Sequence, residues 1–184
     1  LETSGASTAF DNILEVAAIL TNDRLETLST FHRKARLKEG IIPNLGALNV
    51  TGFDVNWLKQ NPSPNTLLLD MEKKFKEWGP ACYFGYNSQL FDFIFCQKSF
   101  FQNLQPPYML NTGGNKQGDI LNVIRAAKLV NKDVIETPMT EKGNPSFRLS
   151  DLMQHKDAHG AMPDTEACLA VAKKIYKKTS AVWK

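Results

Sequence analysis

Four side chains that could share one reaction occur along the chain in a fixed order. Glu2 stands in Leu1-Glu2-Thr3-Ser4-Gly5, Asp92 ends the stretch Gly85-Tyr86-Asn87-Ser88-Gln89-Leu90-Phe91-Asp92, and His159 is followed by Asp164 one helical turn and a residue later. Carboxylates gathered at one point repel each other and lose hydration, so such a cluster needs cations between its members. Hard divalent ions such as Mg²⁺ favour oxygen ligands and keep places open for water and phosphate oxygens. A histidine beside them can take a proton from an attacking water near neutral pH. These are the parts needed to cut a phosphodiester bond with two metal ions.

Local context sharpens some of these residues and not others. Asp92 is flanked by Phe91, Phe93, Ile94 and Phe95, and a carboxylate inside such a segment is costly unless paired. Glu2 alone would pass for a surface acid. His159 stands in the small-residue stretch Asp157-Ala158-His159-Gly160-Ala161, which could carry a mobile ring to a water, whereas His32 and His155 read as surface histidines. Arg148, between Phe147 and Leu149, could fork two hydrogen bonds to a phosphate while the phenylalanine offers a stacking face.

In these residues the chain resembles the DEDDh 3′→5′ exonucleases, whose acidic set is Asp-x-Glu, a central Asp and His-x4-Asp. Within that superfamily it is most similar to the nuclease domain of bacterial exodeoxyribonuclease I. The matching segments are Glu2-Thr3-Ser4-Gly5, Pro43-Asn44-Leu45-Gly46-Ala47 with Thr51-Gly52, and Gly85-Tyr86-Asn87 with Phe91-Asp92. Further on come Pro145-Ser146-Phe147-Arg148-Leu149 and Ala158-His159-Gly160-Ala161-Met162-Pro163-Asp164. The resemblance implies that Glu2, Asp92 and Asp164 hold two Mg²⁺ ions, for which Mn²⁺ can substitute, and that His159 is the general base. It also implies that Glu2, Thr3, Ser4, Gly5, Asn87, Phe91 and Arg148 lie against the substrate. That substrate is single-stranded DNA with a free 3′ end, degraded to 5′-mononucleotides in the cytoplasm, with a single-strand DNA-binding protein as a candidate partner and no membrane role.

Three positions depart from the family pattern. The first aspartate of Asp-x-Glu falls immediately ahead of Leu1, so the expectation is a chain cut just after it. Gly160 stands where an Asp often follows the histidine, and Phe93 where relatives often have a second acid. Two other readings use the same residues: an exoribonuclease of the same superfamily, distinguished by contacts to the 2′ position, and a non-catalytic nucleic-acid-binding module without its first metal ligand.

Composition bounds the fold. With 184 residues, 42% of them hydrophobic and 22% charged, the chain suits one globular domain over 1–184. The net charge of +3 permits nucleic-acid binding without requiring it. Two basic stretches, Arg33 to Lys38 and Lys173 to Lys178, read as solvated strand and helix faces. Cys82, Cys96 and Cys168 lie far apart in apolar stretches, with no zinc spacing, and read as buried reduced thiols.

The elements that must position the site can be read from periodicity. Strands are expected over 13–20, 31–37 and 81–86, and helices over 66–78, 88–103, 120–130 (capped by Asp119), 149–154 (capped by Ser150) and 163–178. The stretches 111–118 and 131–145 read as loop. This order suits an α/β domain. The resemblance implies a ribonuclease H-like fold, a mixed central β-sheet flanked by helices, whose first central strand carries Asp-x-Glu. Most of that strand would precede Leu1, so the 184 residues alone are expected to be poorly stable.

Overall fold

The computed structural model describes residues 1–153 and 160–179, apart from the side chains of Val55 and Trp57. Strands β1 (Glu2–Thr3), β2 (Ile13–Thr21) and β3 (Thr27–Lys34) form an antiparallel sheet in that order. Two short helices follow, α1 (Leu45–Thr51) and α2 (Val55–Leu58), and then the long α3 (Pro64–Trp78). A parallel pair, β4 (Cys82–Gly85) and β5 (Lys116–Asp119), brackets α4 (Asp92–Gln102). The chain continues with α5 (Ile120–Val130), α6 (Leu149–Met153) and α7 (Ala161–Lys178).

Helix α3 forms where expected because its start is fully specified. Ser63 accepts a hydrogen bond from Thr66 N at 3.1 Å, and Pro64 supplies a preset φ at the first helical position. Its buried face, Leu67, Leu68, Met71 and Phe75, packs on Phe31 and Val16 of the antiparallel sheet and on Phe95 and Phe100 of α4. Phe75 sits at the centre, edge-on to Phe31 at 5.9 Å and stacked on Trp78 at 5.3 Å. A second cluster joins Ile120 and Ile124 of α5 to Val171 and Ile175 of α7.

Several expectations need correction. Residues 116–119 are not loop: Lys116-Gln117-Gly118-Asp119 is β5, paired in register with Cys82 to Gly85. Its apolar signal is absent because a strand at this position is stabilised by its ladder, not by side-chain burial. The second strand, Thr27–Lys34, starts four residues and ends three residues earlier than expected, since after Ala35 the backbone turns away and Arg36 N donates to Pro62 O. The helix expected over 88–103 is broken at Phe91 (φ −137°, ψ −75°), with a 3₁₀ turn Ser88–Leu90 before it. Ser150 lies inside α6, and the hydroxyl near its start is that of Ser146, which accepts from Arg148 N. Helices α1 and α2 had no reading in the sequence.

The two sheets are not hydrogen-bonded to each other among the described residues. Between them lies a cavity of about 450 Å³, walled by Val16 to Ile19 of β2 on one side and Tyr83 to Gly85 of β4 on the other. Strand β2 is buried from Ile13 to Val16 but only half-buried from Ala17 to Thr21, where β1 no longer lies beside it. The register Glu2↔Glu15 runs antiparallel, so a strand continuing ahead of Leu1 would pass along Ala17 to Thr21 through this gap. An extension of roughly six strand-forming residues ahead of Leu1 is expected to raise the melting temperature by more than about 5 °C, measured by calorimetry. An unchanged melt would show that the gap does not accept a strand.

Candidate active site

Asp92 opens α4 and is partly buried. The Leu1 nitrogen lies 2.9 Å from its Oδ1. Asp164, in the first turn of α7, lines the same inter-sheet cavity as Asp92 and Leu1. Two of the expected acids, separated by more than seventy residues of sequence, therefore meet at one cavity.

Glu2 lies on β1 directly across from Glu15 of β2, so both project from the same face of the sheet. Among the described residues, no three His, Cys, Asp or Glu side chains gather closely enough to form a metal site. The donor chemistry of Glu2, Asp92 and Asp164 nonetheless fits a hard cation, since every candidate ligand is a carboxylate oxygen. His159 lies outside the described residues, as does His155.

The residues expected against the substrate have defined local roles. Thr3 and Ser4 are buried, and their hydroxyls close the loop that follows: Thr3 donates to Gly5 O at 2.7 Å and Ser4 to Asp11 Oδ1 at 2.9 Å. Gly5 must lack a side chain, because a Cβ there would fall 2.4 Å from the Asp11 carboxylate. Phe91 packs against Phe95, with ring centroids 4.8 Å apart. Arg148 is exposed, with its backbone at the start of α6.

Asn87 adopts a left-handed conformation (φ 57°), which asparagine tolerates better than most residues. What holds it there is Asp119, whose role beyond capping sequence reasoning missed. One Asp119 oxygen accepts from both Asn87 N and Leu121 N at 2.9 Å, and the other accepts from Gln89 N at 3.3 Å. A single buried carboxylate thus caps α5 and fixes the turn that leads to Asp92. Tyr86 in the same turn donates its hydroxyl to Phe147 O, joining the Gly85-Tyr86-Asn87 segment to the one that carries Arg148. Only the capping half of Asp119's role leaves a sequence signal, because the turn lies about thirty residues away.

The three cysteines are free; Cys96 is buried as expected, whereas Cys82 on β4 is exposed and Cys168 on α7 is half-buried. Burial pushes the Cys96 and Cys168 thiols up to about 12, with Asp92 adding to the effect in both. Among the described residues, no helix is long and apolar enough to cross a membrane.

Comparison with known proteins gives one consistent answer. No protein-family model matches the chain. Exodeoxyribonuclease I of Escherichia coli is 28% identical over 183 residues, 95% of this chain and 38% of that protein. Exonuclease I of E. coli in complex with a dT13 oligonucleotide superposes with a TM-score of 0.92 at 27% identity, over 99% of this chain and 41% of that one. The zinc-bound form of the E. coli enzyme with single-stranded DNA gives a TM-score of 0.90 at 27% identity, over 99% and 40%. The chain spans less than half the length of these relatives. Their fold, a ribonuclease H-like α/β arrangement, is the fold of this chain.

Two outcomes follow from the geometry. Asp119→Ala is expected to cost about 2–4 kcal/mol in a denaturant titration, the sum of a lost cap and two uncompensated turn N–H groups. At pH 8 an aromatic disulfide reagent is expected to modify Cys82 in the native protein and leave Cys96 and Cys168 untouched, because their protons are held far above that pH. Rapid reaction of all three would contradict the burial.

Proposed function

We propose that this chain, close in sequence and fold to the nuclease domain of exodeoxyribonuclease I, is the catalytic part of a metal-dependent 3′→5′ exonuclease. It removes 5′-mononucleotides from the free 3′ end of single-stranded DNA. The observation that carries this reading is the meeting of Asp92 and Asp164 at one cavity, next to the strand that bears Glu2. Distant acids have no structural reason to converge, and the repulsion between them is a cost that binding a cation repays.

Glu2, Asp92 and Asp164 would hold two Mg²⁺ ions, and Mn²⁺ would replace them. When bound, such ions supply the charge neutralisation and Lewis acidity of phosphodiester hydrolysis. His159 takes the proton of the attacking water, for which a neutral imidazole is required. Arg148, exposed at the start of α6, holds a phosphate of the strand by a forked contact. Phe91 and Asn87 shape the place of the terminal nucleotide, and the turn held by Asp119 keeps them in position. A pocket that admits only a free 3′ end sets the direction.

The test is a 5′-labelled single-stranded DNA incubated with the protein and Mg²⁺. A ladder shortening from the 3′ end is expected with Mg²⁺ and not with excess chelator. Asp92→Asn and Asp164→Asn are each expected to lower kcat by at least about a hundredfold. Faster shortening of RNA than of DNA would replace the substrate assignment. Binding without shortening, in folded protein carrying the preceding aspartate, would replace catalysis with a binding role.

A further inference from the structure

Glu15 is an acid in the middle of an otherwise apolar strand, and only 2% of it is exposed. A carboxylate so placed must be compensated, and here three groups converge on it. His32 Nε2 lies 2.5 Å from Oε1, and Lys34 Nζ lies 3.4 Å from the same atom. Oε2 accepts from Ala161 N at 3.4 Å, the first N–H of α7. Both side-chain partners come from β3, and Lys34 is the residue directly across the ladder from Glu15.

Helix α7 needs this contact because its own sequence provides no cap. Its N-cap is Gly160, which has no side chain to accept a hydrogen bond. Pro163 has no N–H, and Asp164 N already donates to Gly160 O. The anion at the positive end of α7 is therefore supplied from another element. One turn further on, the Thr165 hydroxyl donates to Ala161 O at 2.6 Å, and Ala17 O of β2 lies 3.4 Å from the same oxygen.

The placement joins two parts of the proposed site. Glu15 is directly opposite Glu2 on β1, and the turn it caps carries Asp164 and follows His159 in sequence. We propose that Glu15 is a positioning residue: its carboxylate, held by His32 and Lys34, fixes the start of α7 against β2 and so sets Asp164 relative to Glu2. This rests on the nuclease reading for its catalytic consequence, but not for its structural one. His32 and Lys34 also offset the repulsion that two acids directly opposed on a ladder would otherwise exert.

The experiment compares Glu15→Gln and Glu15→Ala with the unaltered protein by amide hydrogen exchange and by single-stranded DNA hydrolysis. The glutamine keeps the volume and one acceptor oxygen, so it folds where the alanine fails. In Glu15→Gln, protection of the Ala161 and Met162 amides is expected to fall about tenfold, while that of Val171 stays unchanged. In the same variant kcat is expected to fall about tenfold with KM within threefold. Uniform loss of protection along α7, or a rise in KM alone, would overturn the positioning role. Unchanged exchange at Ala161 would do the same. If the unaltered protein lacks nuclease activity while Ala161 still loses protection, the nuclease reading fails and the positioning of α7 by Glu15 stands.

Discussion

A negative charge cannot be taken out of water without a partner, and this fold is organised around two that are, Glu15 and Asp119. Glu15 is held by His32 and Lys34 from the neighbouring strand and by the first N–H of α7. Asp119 is held by three backbone N–H groups. Each joins elements distant in sequence: β2 to α7, and β5 to the turn after β4.

The same logic explains why the aromatic core lies where it does. Phe75, Phe31, Phe95 and Phe100 belong to one buried cluster, and the half-buried Asp92 opens the helix that contributes Phe95 and Phe100 to it. Burial on one side lowers the local dielectric and strengthens any cation contact on the other. The open cavity between the two sheets is the counterpart of that rigidity. β2 and β4 present facing edges with no ladder between them, and the half-buried residues from Ala17 to Thr21 mark its extent.

How much of this was legible depended on whether the signal was local. The helix from Ile120 to Val130 could be read to the residue because Asp119 caps it and its apolar residues recur at helical spacing. Strand β5 could not, since Lys116-Gln117-Gly118-Asp119 carries no apolar alternation and exists through its ladder with β4. The break at Phe91 was hidden because Ser88 to Asn103 keeps a helical pattern across it. For the site, the order and spacing of Glu2, Asp92 and Asp164 were visible, and the structure places two of them at one cavity. The clamp by Asp119 and the tie by Glu15 were not, since a carboxylate's partners at a separation of thirty to a hundred and fifty residues leave no trace in sequence. An acid inside the apolar run Ile13 to Leu20 was the one available hint for Glu15.

The central claim is that the converging acids form a divalent-cation site. It is tested most directly by titrating Mn²⁺ into the protein and counting bound ions by electron paramagnetic resonance, with Asp92→Asn and Asp164→Asn in parallel. The account predicts saturable binding by the unaltered protein that weakens by at least about tenfold in each variant, the loss expected when one charged ligand becomes neutral. Binding of equal strength in all three proteins, or none in any, would contradict it.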